Sequence, residues 1–245
     1  MWNDIIDLRD FYDTGLGQTA RRMIRRQIRN IWPDTSGCRV LGLGFCLPYL
    51  GSFQEESERV IAVMPASQGV LPWPPAGPGL VCLADETELP LPDRSVDRVL
   101  LVHGLESTEQ VRATLREIWR VLSDGGRLLV ATPNRHGLWA HVERTPFGQG
   151  RPYTPSQLNR LLRENMYAPL QVSQALFIPP FRSRVLLRSA SAWERMGARW
   201  FPAFAGVLLV EAAKQLYAAS AGGERKGRKR SYLPMPQGFN RQKSD

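Results

Sequence analysis

Short apolar runs alternate along the chain with longer segments whose apolar residues recur every three or four positions. The short runs contain β-branched residues and are bounded by turn residues, which is typical of strands buried on both faces. They lie at 38–45, at 58–64, at the start of 80–106, at 96–104 and at 127–133. Two later strands are predicted within 170–180 and 204–218, and a helical continuation is the alternative for the end of the second. Helical spacing marks 16–32 and 108–122, and a further helix is predicted from residue 154. This alternation predicts a doubly wound α/β fold with a mostly parallel sheet.

The helix predicted at 16–32 is amphipathic and strongly basic. Its apolar face carries Leu16, Ala20, Met23, Ile24, Ile28 and Ile31, and its polar face carries Arg21, Arg22, Arg25, Arg26 and Arg29. We interpret the arginines as the solvated face of a helix that packs on the domain, with contact to phosphate groups as the alternative. Residues 1–34 are therefore predicted to form an N-terminal basic helical segment.

Turn and cap residues predict where several elements begin and end. Residues 65–79 contain five prolines, which exclude the regular helix that normally follows a second strand. The Asp-Gly-Gly sequence at 124–126 is expected to end the helix at 108–122. The sequence Thr-Pro-Ser-Gln at 154–157 has the N-cap, the first-turn proline and the capping-box glutamine of a helix start.

Basic residues are concentrated near the end of the sequence. The net charge is +9, and residues 222–245 supply +5 of it, because seven Lys or Arg stand against Glu224 and Asp245. This stretch has few apolar residues, so we expect a disordered basic tail. The charge indicates an anionic partner, and nucleic acid, a membrane surface and an acidic protein all remain open.

Cysteine usage and hydropathy bound the class of protein further. Cys38, Cys46 and Cys82 form no CxxC pair, and their odd number is typical of reduced thiols in the cytoplasm. Each is expected to be a small buried apolar residue, and no metal site is predicted. The longest late apolar run, 201–210, has ten residues, which is too short for a membrane span. We therefore expect a cytoplasmic protein.

Two longer motifs resemble the class I S-adenosylmethionine (SAM) dependent methyltransferases, specifically the type 11 group. The sequence LREIWRVLSDGGRLLVATPN at 115–134 is similar to that family's helix, double-glycine turn and fifth strand. The sequence ADETELPLPDRSVDRVLLVHGLE at 84–106 resembles its segment from the adenine-contacting acid into the fourth strand. The resemblance implies a seven-stranded Rossmann-like sheet within a domain at 35–221. It also implies SAM as cofactor and methyl transfer to an acceptor that the sequence does not identify.

The glycine-rich loop after the first predicted strand departs from the family pattern. Gly42 stands where the family has an acid, and Gly44 keeps its place. Cys46 and Pro48 occupy the two later glycine positions. Glycines at this point let the backbone approach the methionine part of SAM, whereas Pro48 removes an N–H donor and a Cys46 side chain narrows the space.

The ends of the second and third strands carry the other positions that the resemblance assigns to SAM. Met64 replaces the acid that would hold the ribose hydroxyls, whereas Asp85 keeps the place of the adenine contact. A carboxylate on two hydroxyls contributes roughly 2–4 kcal/mol, so its loss weakens binding by on the order of 30- to 1000-fold. We expect SAM to be bound weakly or to have been lost.

His103 follows the fourth strand, at the carboxyl end where open α/β sheets bind ligands. We interpret it as a candidate general base or substrate contact, with Glu106 as its partner or as an acid in its own right. The alternative is a histidine that only bonds a neighbouring backbone group at the end of a strand.

Two insertions are predicted to cover the same end of the sheet. The first, at 134–153, is interpreted as a substrate lid, and its candidate residues are His136, Trp139, His141, Arg144 and Tyr153. Its alternative is a loop that packs its aromatic residues beneath itself. The second, at 179–202, holds Arg182, Arg184 and Arg188 for a substrate wall or a protein contact, and core packing is expected of Phe181, Leu186, Trp193 and Trp200.

Three functions follow from these features. The first is SAM-dependent methyl transfer, which the retained Asp85 and His103 favour. The second is a catalytically degenerate relative that binds a protein or metabolite, which the altered loop at 42–48 favours. The third is nucleic-acid binding through the Arg-rich helix and the basic tail, and it is the least favoured of the three.

Overall fold

A computed structural model describes residues 4–181, 187 and 189–216 of the chain. Its helices are α1 (Ile5–Asp13), α2 (Gly15–Ile31), α3 (Leu47–Leu50), α4 (Val111–Val121), α5 (Pro155–Glu164) and α6 (Ala190–Trp200). Its strands are β1 (Arg39–Gly44), β2 (Arg59–Pro65), β3 (Val81–Ala84), β4 (Val96–Val102), β5 (Leu122–Pro133), β6 (Tyr167–Ala175) and β7 (Val207–Lys214). Short 3-10 helices lie at Leu138–His141, Pro146–Gly148 and Pro202–Phe204.

The strands form one seven-stranded sheet in the order β3-β2-β1-β4-β5-β7-β6. Pairing is parallel from β3 through β5, and β7 runs antiparallel between β5 and β6. The strand order reverses direction between β1 and β4, so the carboxyl ends of these strands open a crevice of the kind in which doubly wound sheets bind ligands. The predicted mostly parallel, doubly wound fold is confirmed.

Helices cover both faces of the sheet and divide the core into two apolar clusters. One cluster lies under α1, α2, α3 and α6, and the other lies under α4 and α5. The buried stripe of α2 is the one that the sequence predicted, with Ile24 and Ile28 fully buried. The short α3 fits between β1 and β2, and 66–80 contains no helix, as its prolines predict.

The N-terminal segment is an integral part of this core rather than an appendage. Leu8 and Phe11 of α1 are buried, and so is Leu16 at the start of α2. Thr14 joins the two helices, because its Oγ1 donates to the carbonyl of Phe11 and accepts from the N–H of Gly17. An added Cβ at Gly17 would lie 2.0 Å from the Phe11 carbonyl oxygen, so the turn requires glycine.

Two predictions about these segments are wrong, and the predicted extent of the last strand lies partly outside the described residues. The Asp-Gly-Gly sequence at 124–126 lies inside β5, because the strand already begins at Leu122 and shifts register against β4 before Arg127. The strand β7 ends at Lys214, and the continuation predicted to 218 extends beyond the described residues. Of the three cysteines predicted to be buried, only Cys46 is, whereas Cys38 is partly buried and Cys82 is exposed on the edge strand β3.

Two aromatic residues of the second insertion are also placed differently from the prediction. Phe181 is 60% exposed and Trp200 is 69% exposed, whereas Trp193 packs partly buried against the core. Leu186, the arginines at 182, 184 and 188, and the basic tail at 222–245 lie outside the described residues. No helix among the described residues is long and apolar enough to cross a membrane.

An ion pair ties the start of β1 to the start of β4. Arg39 donates from Nε and Nη2 to the two carboxylate oxygens of Asp97 at 2.9 and 3.0 Å, and its backbone N–H donates at 3.0 Å. The Arg39 guanidinium therefore lowers the pKa of Asp97 from 3.8 to about 2, because the charged carboxylate is the form that accepts all three bonds.

We expect Asp97→Asn to lower the free energy of unfolding at pH 7 by about 1–2 kcal/mol. A depressed folded-state pKa stabilises the fold above the unfolded value and loses that effect as pH falls, so the difference from wild type should vanish between pH 3.8 and about 2. Urea unfolding across this range measures it. Asp10→Asn, in an exposed pair with Arg9, is the control with little expected effect. A loss for Asp97→Asn that is independent of pH would contradict the prediction.

Candidate functional site

His103 is the first residue after β4 and lies where the carboxyl ends of the central strands meet. Its φ of 50° is in the left-handed region, which a non-glycine residue adopts at a cost of about 1–3 kcal/mol. Gln68 holds this conformation, because its Nε2 donates to the His103 carbonyl at 2.6 Å. The strained backbone turns the imidazole toward α1, where it is 4% exposed.

A chain of hydrogen bonds runs from this imidazole into α1 and back to α3. Tyr12 Oη lies 2.8 Å from His103 Nε2 and 2.8 Å from Tyr49 Oη. All three side chains are buried, and burial raises the pKa of both tyrosines, so the phenols stay neutral at physiological pH. Tyr12 therefore covers the ring nitrogen that a substrate would need to reach.

Glu106 lies on the other side of the imidazole. Its Oε1 is 3.3 Å from His103 Nδ1, and its side chain is 5% exposed. Neither carboxylate oxygen has a hydrogen bond among the described residues. Burying a carboxylate without hydrogen bonds costs stability, so this position of Glu106 is unusual for a residue that serves the fold alone.

The space between these groups is closed. A cavity of about 10 Å³ is lined by His103, Glu106, Gln68, Ser107, Leu8, Pro146, Gln149 and Gly150. It is at most large enough for one water molecule, and Gln68 Oε1 is also without a hydrogen bond among the described residues. Leu8 and Pro146 form its apolar walls, so α1 and the first insertion together shut the crevice above β4.

The loop after β1 is closed by its own side chains. Gly44 has a φ of 77°, and a Cβ there would lie 2.4 Å from the Val102 carbonyl oxygen, so its glycine is required by the backbone. Cys46 is fully buried and its Sγ lies 2.9 Å from the Leu43 carbonyl oxygen. Phe45 stacks on Tyr12, with ring centroids 5.5 Å apart. The backbone is therefore not open to a ligand at this loop.

Gly42 and Met64 lie in the interior of the domain. A Cβ at Gly42 would be 2.6 Å from Leu50 Cδ1, so α3 packs against this glycine. Met64 is fully buried at the end of β2, within the apolar cluster under α1 and α2. Neither position offers a polar group to a ribose.

Asp85 lies apart from this closed region, in an open cleft. The cleft has a volume of about 310 Å³ and is lined by Ala66, Ser67, Gln68, Asp85, Glu86, Thr87, Ser107, Thr108, Glu109 and Gln110. Asp85 Oδ1 accepts from the N–H and the hydroxyl of Thr87 at 2.8 and 2.6 Å. These bonds lower the pKa of Asp85 and keep it charged at the cleft.

The residues predicted as a substrate lid do not converge on His103. Trp139 is buried and its Nε1 donates to the Ile178 carbonyl at 2.7 Å, as the alternative interpretation expected. His136 is exposed, and Tyr153 is half-buried against the apolar cluster under α4 and α5. Only His141 and Arg144 share a cleft, a separate space of about 1070 Å³ that also contains Phe181 and Leu16.

Two residues of the site were missed in the sequence. Tyr12 and Gln68 lie in segments without a recognisable motif, 35 or more positions from His103 along the chain. The aromatic ring of Phe147, 4.9 Å from the imidazole, comes from the first insertion. No group of three or more metal-binding side chains is found in the part of the chain that the structure describes.

Comparison with known proteins agrees with the sequence resemblance. Residues 41–130 match the family model of a methyltransferase domain, type 11. A curated relative, the demethylmenaquinone methyltransferase of Corynebacterium efficiens, is 31% identical over 131 residues. The match covers 54% of this chain, which spans 57% of that relative's length.

Solved structures share the fold over most of the chain. A SAM-dependent methyltransferase from Thermotoga maritima, described as a possible histamine N-methyltransferase, has a TM-score of 0.58 at 17% identity, over 88% of this chain and all of its own. A putative methyltransferase solved in complex with the Haloferax volcanii Trm112 methyltransferase activator has a TM-score of 0.58 at 16% identity, over 87% of this chain and 96% of its own. The resemblance to the class I methyltransferases is confirmed, and the fold is theirs.

We expect Tyr12→Phe to lower the free energy of unfolding by about 1–3 kcal/mol, because His103 Nε2 and Tyr49 Oη would both lose a buried partner. Chemical denaturation measures the change. Tyr153→Phe removes a hydroxyl without a hydrogen bond in the described part of the chain and is the matched control. Equal stability of Tyr12→Phe and wild type would show that this chain of bonds does not hold α1.

Proposed function

We propose that this chain, which has the class I methyltransferase fold and whose residues 41–130 match a type 11 methyltransferase domain, transfers a methyl group from SAM to an acceptor. The observation that carries the proposal is the buried pair of His103 and Glu106 at the carboxyl end of β4. Open α/β sheets bind their ligands at this edge, at the point where the strand order reverses. The acceptor itself is not identified.

In this proposal the pair handles the acceptor's proton. His103 Nε2 takes a proton from an acceptor hydroxyl or amine, and the Glu106 carboxylate, 3.3 Å from Nδ1, stabilises the imidazolium that results. Bound SAM supplies the methyl group. Because Tyr12 bonds Nε2 in the closed conformation, an acceptor reaches the base only after Tyr12 has withdrawn.

The residues of the closed conformation do not fit the methionine and ribose parts of SAM. Phe45, Cys46 and Met64 fill that region and are at most 3% exposed. The cleft at Asp85 is different, because its 310 Å³ and its charged carboxylate suit an adenine ring with its amino group. We therefore infer that SAM enters from the Asp85 side and that α1 must move before the rest of the cofactor is accommodated.

The large cleft at His141 and Arg144 is the proposed entry for the acceptor. Thr145 lines this cleft, and the next residue, Pro146, lines the small cavity at His103. Movement of this segment would join the two spaces. Of the residues predicted as a substrate lid, His141 and Arg144 are thus the two that we propose contact the acceptor.

A second function is favoured by one observation, the packing of the cofactor region. Tyr12, Phe45 and Phe147 surround His103 with ring centroids 4.9–6.5 Å from the imidazole, as in a hydrophobic core. If this packing is permanent, the protein is a non-catalytic relative that binds a metabolite or protein at one of its open clefts. Cofactor binding distinguishes the two functions.

We predict that Leu8→Ala tightens SAM binding at least tenfold, from a wild-type dissociation constant on the order of 100 μM or weaker. Leu8 packs α1 against the cavity at His103, so the truncation weakens the closed state and raises the fraction of open, binding-competent protein. Isothermal titration with SAM measures this. Leu162→Ala, equally buried under the opposite face, controls for general destabilisation and should leave the dissociation constant unchanged.

Absence of SAM binding in both wild type and folded Leu8→Ala would reject the methyltransferase proposal and favour the non-catalytic relative. Low-micromolar binding by wild type, unchanged in Leu8→Ala, would contradict the inference that α1 blocks the site while leaving methyl transfer in place.

A further inference from the structure

An exposed cluster of large apolar side chains lies at the end of α6 and in the 3-10 helix after it. Trp200 is 69% exposed, Phe201 60%, Phe204 56% and Met196 53%. The rings of Phe201 and Phe204 contact each other, with centroids 6.5 Å apart. Exposed apolar patches of this kind mark an interaction site. We call these four residues the aromatic patch.

The patch is exposed because α6 presents its small residues to the domain. Ala190 and Gly197 are its buried positions. A Cβ at Gly197 would lie 2.3 Å from Phe177 Cβ, so the helix lies close to the chain after β6 and accepts only glycine there. Of the large side chains on α6, Trp193 packs partly buried against the core, whereas Met196 and Trp200 consequently point away from it.

Two arginines lie on the same helix as the aromatic patch. Arg195 and Arg199 are exposed on α6, whereas Glu194, the one acid on this helix, is turned inward and accepts from the Phe177 N–H at 2.9 Å. Neither arginine forms an ion pair with any residue that the structure describes. The surface of α6 is therefore both apolar and cationic.

The basic face of α2 continues this surface. The two helices lie side by side over β6, since Gln27 of α2 and Ala198 of α6 line one cleft with Val172 and Ser173. Arg26 of α2 is close enough to lower the pKa of Glu194, although burial raises that pKa more strongly. The exposed arginines of α2 are Arg21, Arg22, Arg25 and Arg26, of which Arg21 donates to the Pro48 carbonyl at 2.9 Å. No acidic residue occurs on α2.

We propose that this face of the protein, formed by the aromatic patch and the arginines of α2 and α6, binds the surface of an anionic lipid bilayer. Trp, Phe and Met side chains lie at the boundary between headgroups and acyl chains, and arginines beside them pair with lipid phosphates. Charge complementarity selects this occupant. The proposal is independent of methyl transfer.

Other occupants fit the surface less well. A two-fold dimer through this face would bring the arginines of one copy against those of the other, and like charges in contact are unfavourable. A nucleic acid would neutralise the arginines but leave Met196 and Phe204 against a polar backbone. A bilayer satisfies both the charged and the apolar groups.

The test is sedimentation of the full chain with vesicles of phosphatidylcholine, with and without phosphatidylglycerol. Wild type should bind the anionic vesicles and not the neutral ones. Trp200→Ser combined with Phe204→Ser should lower the partition coefficient at least tenfold, and Arg195→Gln with Arg199→Gln should lower it about fivefold for each charge removed. All variants keep the basic residues at 222–245, so a loss of binding cannot come from the tail.

Two controls are matched to these variants. Leu83→Ser removes an apolar side chain that is 49% exposed on the edge strand β3, at the other end of the sheet. Arg116→Gln removes an exposed arginine from α4, on the opposite face. Both should bind vesicles as wild type does.

Three results would overturn the proposal. Vesicle binding that is absent, or that the aromatic patch variants leave unchanged, would show that this face does not meet lipid. A dimer in light scattering that Trp200→Ser dissociates would show a second copy on the patch. Binding to RNA that Arg195→Gln with Arg199→Gln abolishes, without vesicle binding by wild type, would assign the face to nucleic acid.

Discussion

The docking of α1 across the carboxyl end of the sheet is the contact on which the whole site depends. Tyr12 bonds His103 and Tyr49, Ile5 donates to the Gln68 carbonyl, and Leu8 closes the cavity above Glu106. Because of these contacts, the crevice at the carboxyl end of the sheet is filled and its residues are buried. The residues beneath are then selected for packing rather than for solvation, which is why so many of them are apolar or aromatic.

This docking gives a single cause for the departures from the family's cofactor motif. Met64 and Cys46 are both fully buried, and each replaces a residue that would contact SAM in the resembling family. An acid at 64 would be an unpaired buried charge under α1, whereas methionine fills the same space without cost. Gly44 is retained for its positive φ and its close approach to Val102, a requirement of the sheet itself. The altered motif and the closed crevice are thus one adaptation.

The two faces of the helical layer have opposite chemistry. Its inner side is made of α1 and the apolar stripe of α2, and it shields His103 and Glu106 from water. Its outer side carries exposed arginines of α2 and α6 together with the aromatic side chains around Trp200. The combination of these arginines with exposed aromatic residues is what points to a lipid surface.

The sequence by itself determined the fold and identified several residues of the candidate site. The spacing of the apolar residues predicted the order of strands and helices, because an element buried on one or both faces repeats its apolar residues at a characteristic interval. The capping box at Thr154 and the prolines at 65–79 marked their elements correctly, since caps and breakers act over a few residues. His103 and Glu106 were singled out because they follow a strand at the edge that binds ligands, and their role in methyl transfer stays a proposal.

The tertiary structure alone decided how these pieces meet. That Tyr12 reaches His103 depends on the packing of α1, and no local pattern encodes a contact between residues 91 positions apart. The sequence predicted Trp200 to lie in the core, because tryptophan is usually buried. Its exposure depends on the contact of Gly197 with Phe177, which the sequence does not show. The same applies to the residues predicted as a substrate lid. Trp139 is buried in the core, whereas His141 and Arg144 line an open cleft. Long-range packing, which sequence spacing does not record, determines which chemistry is covered and which is exposed.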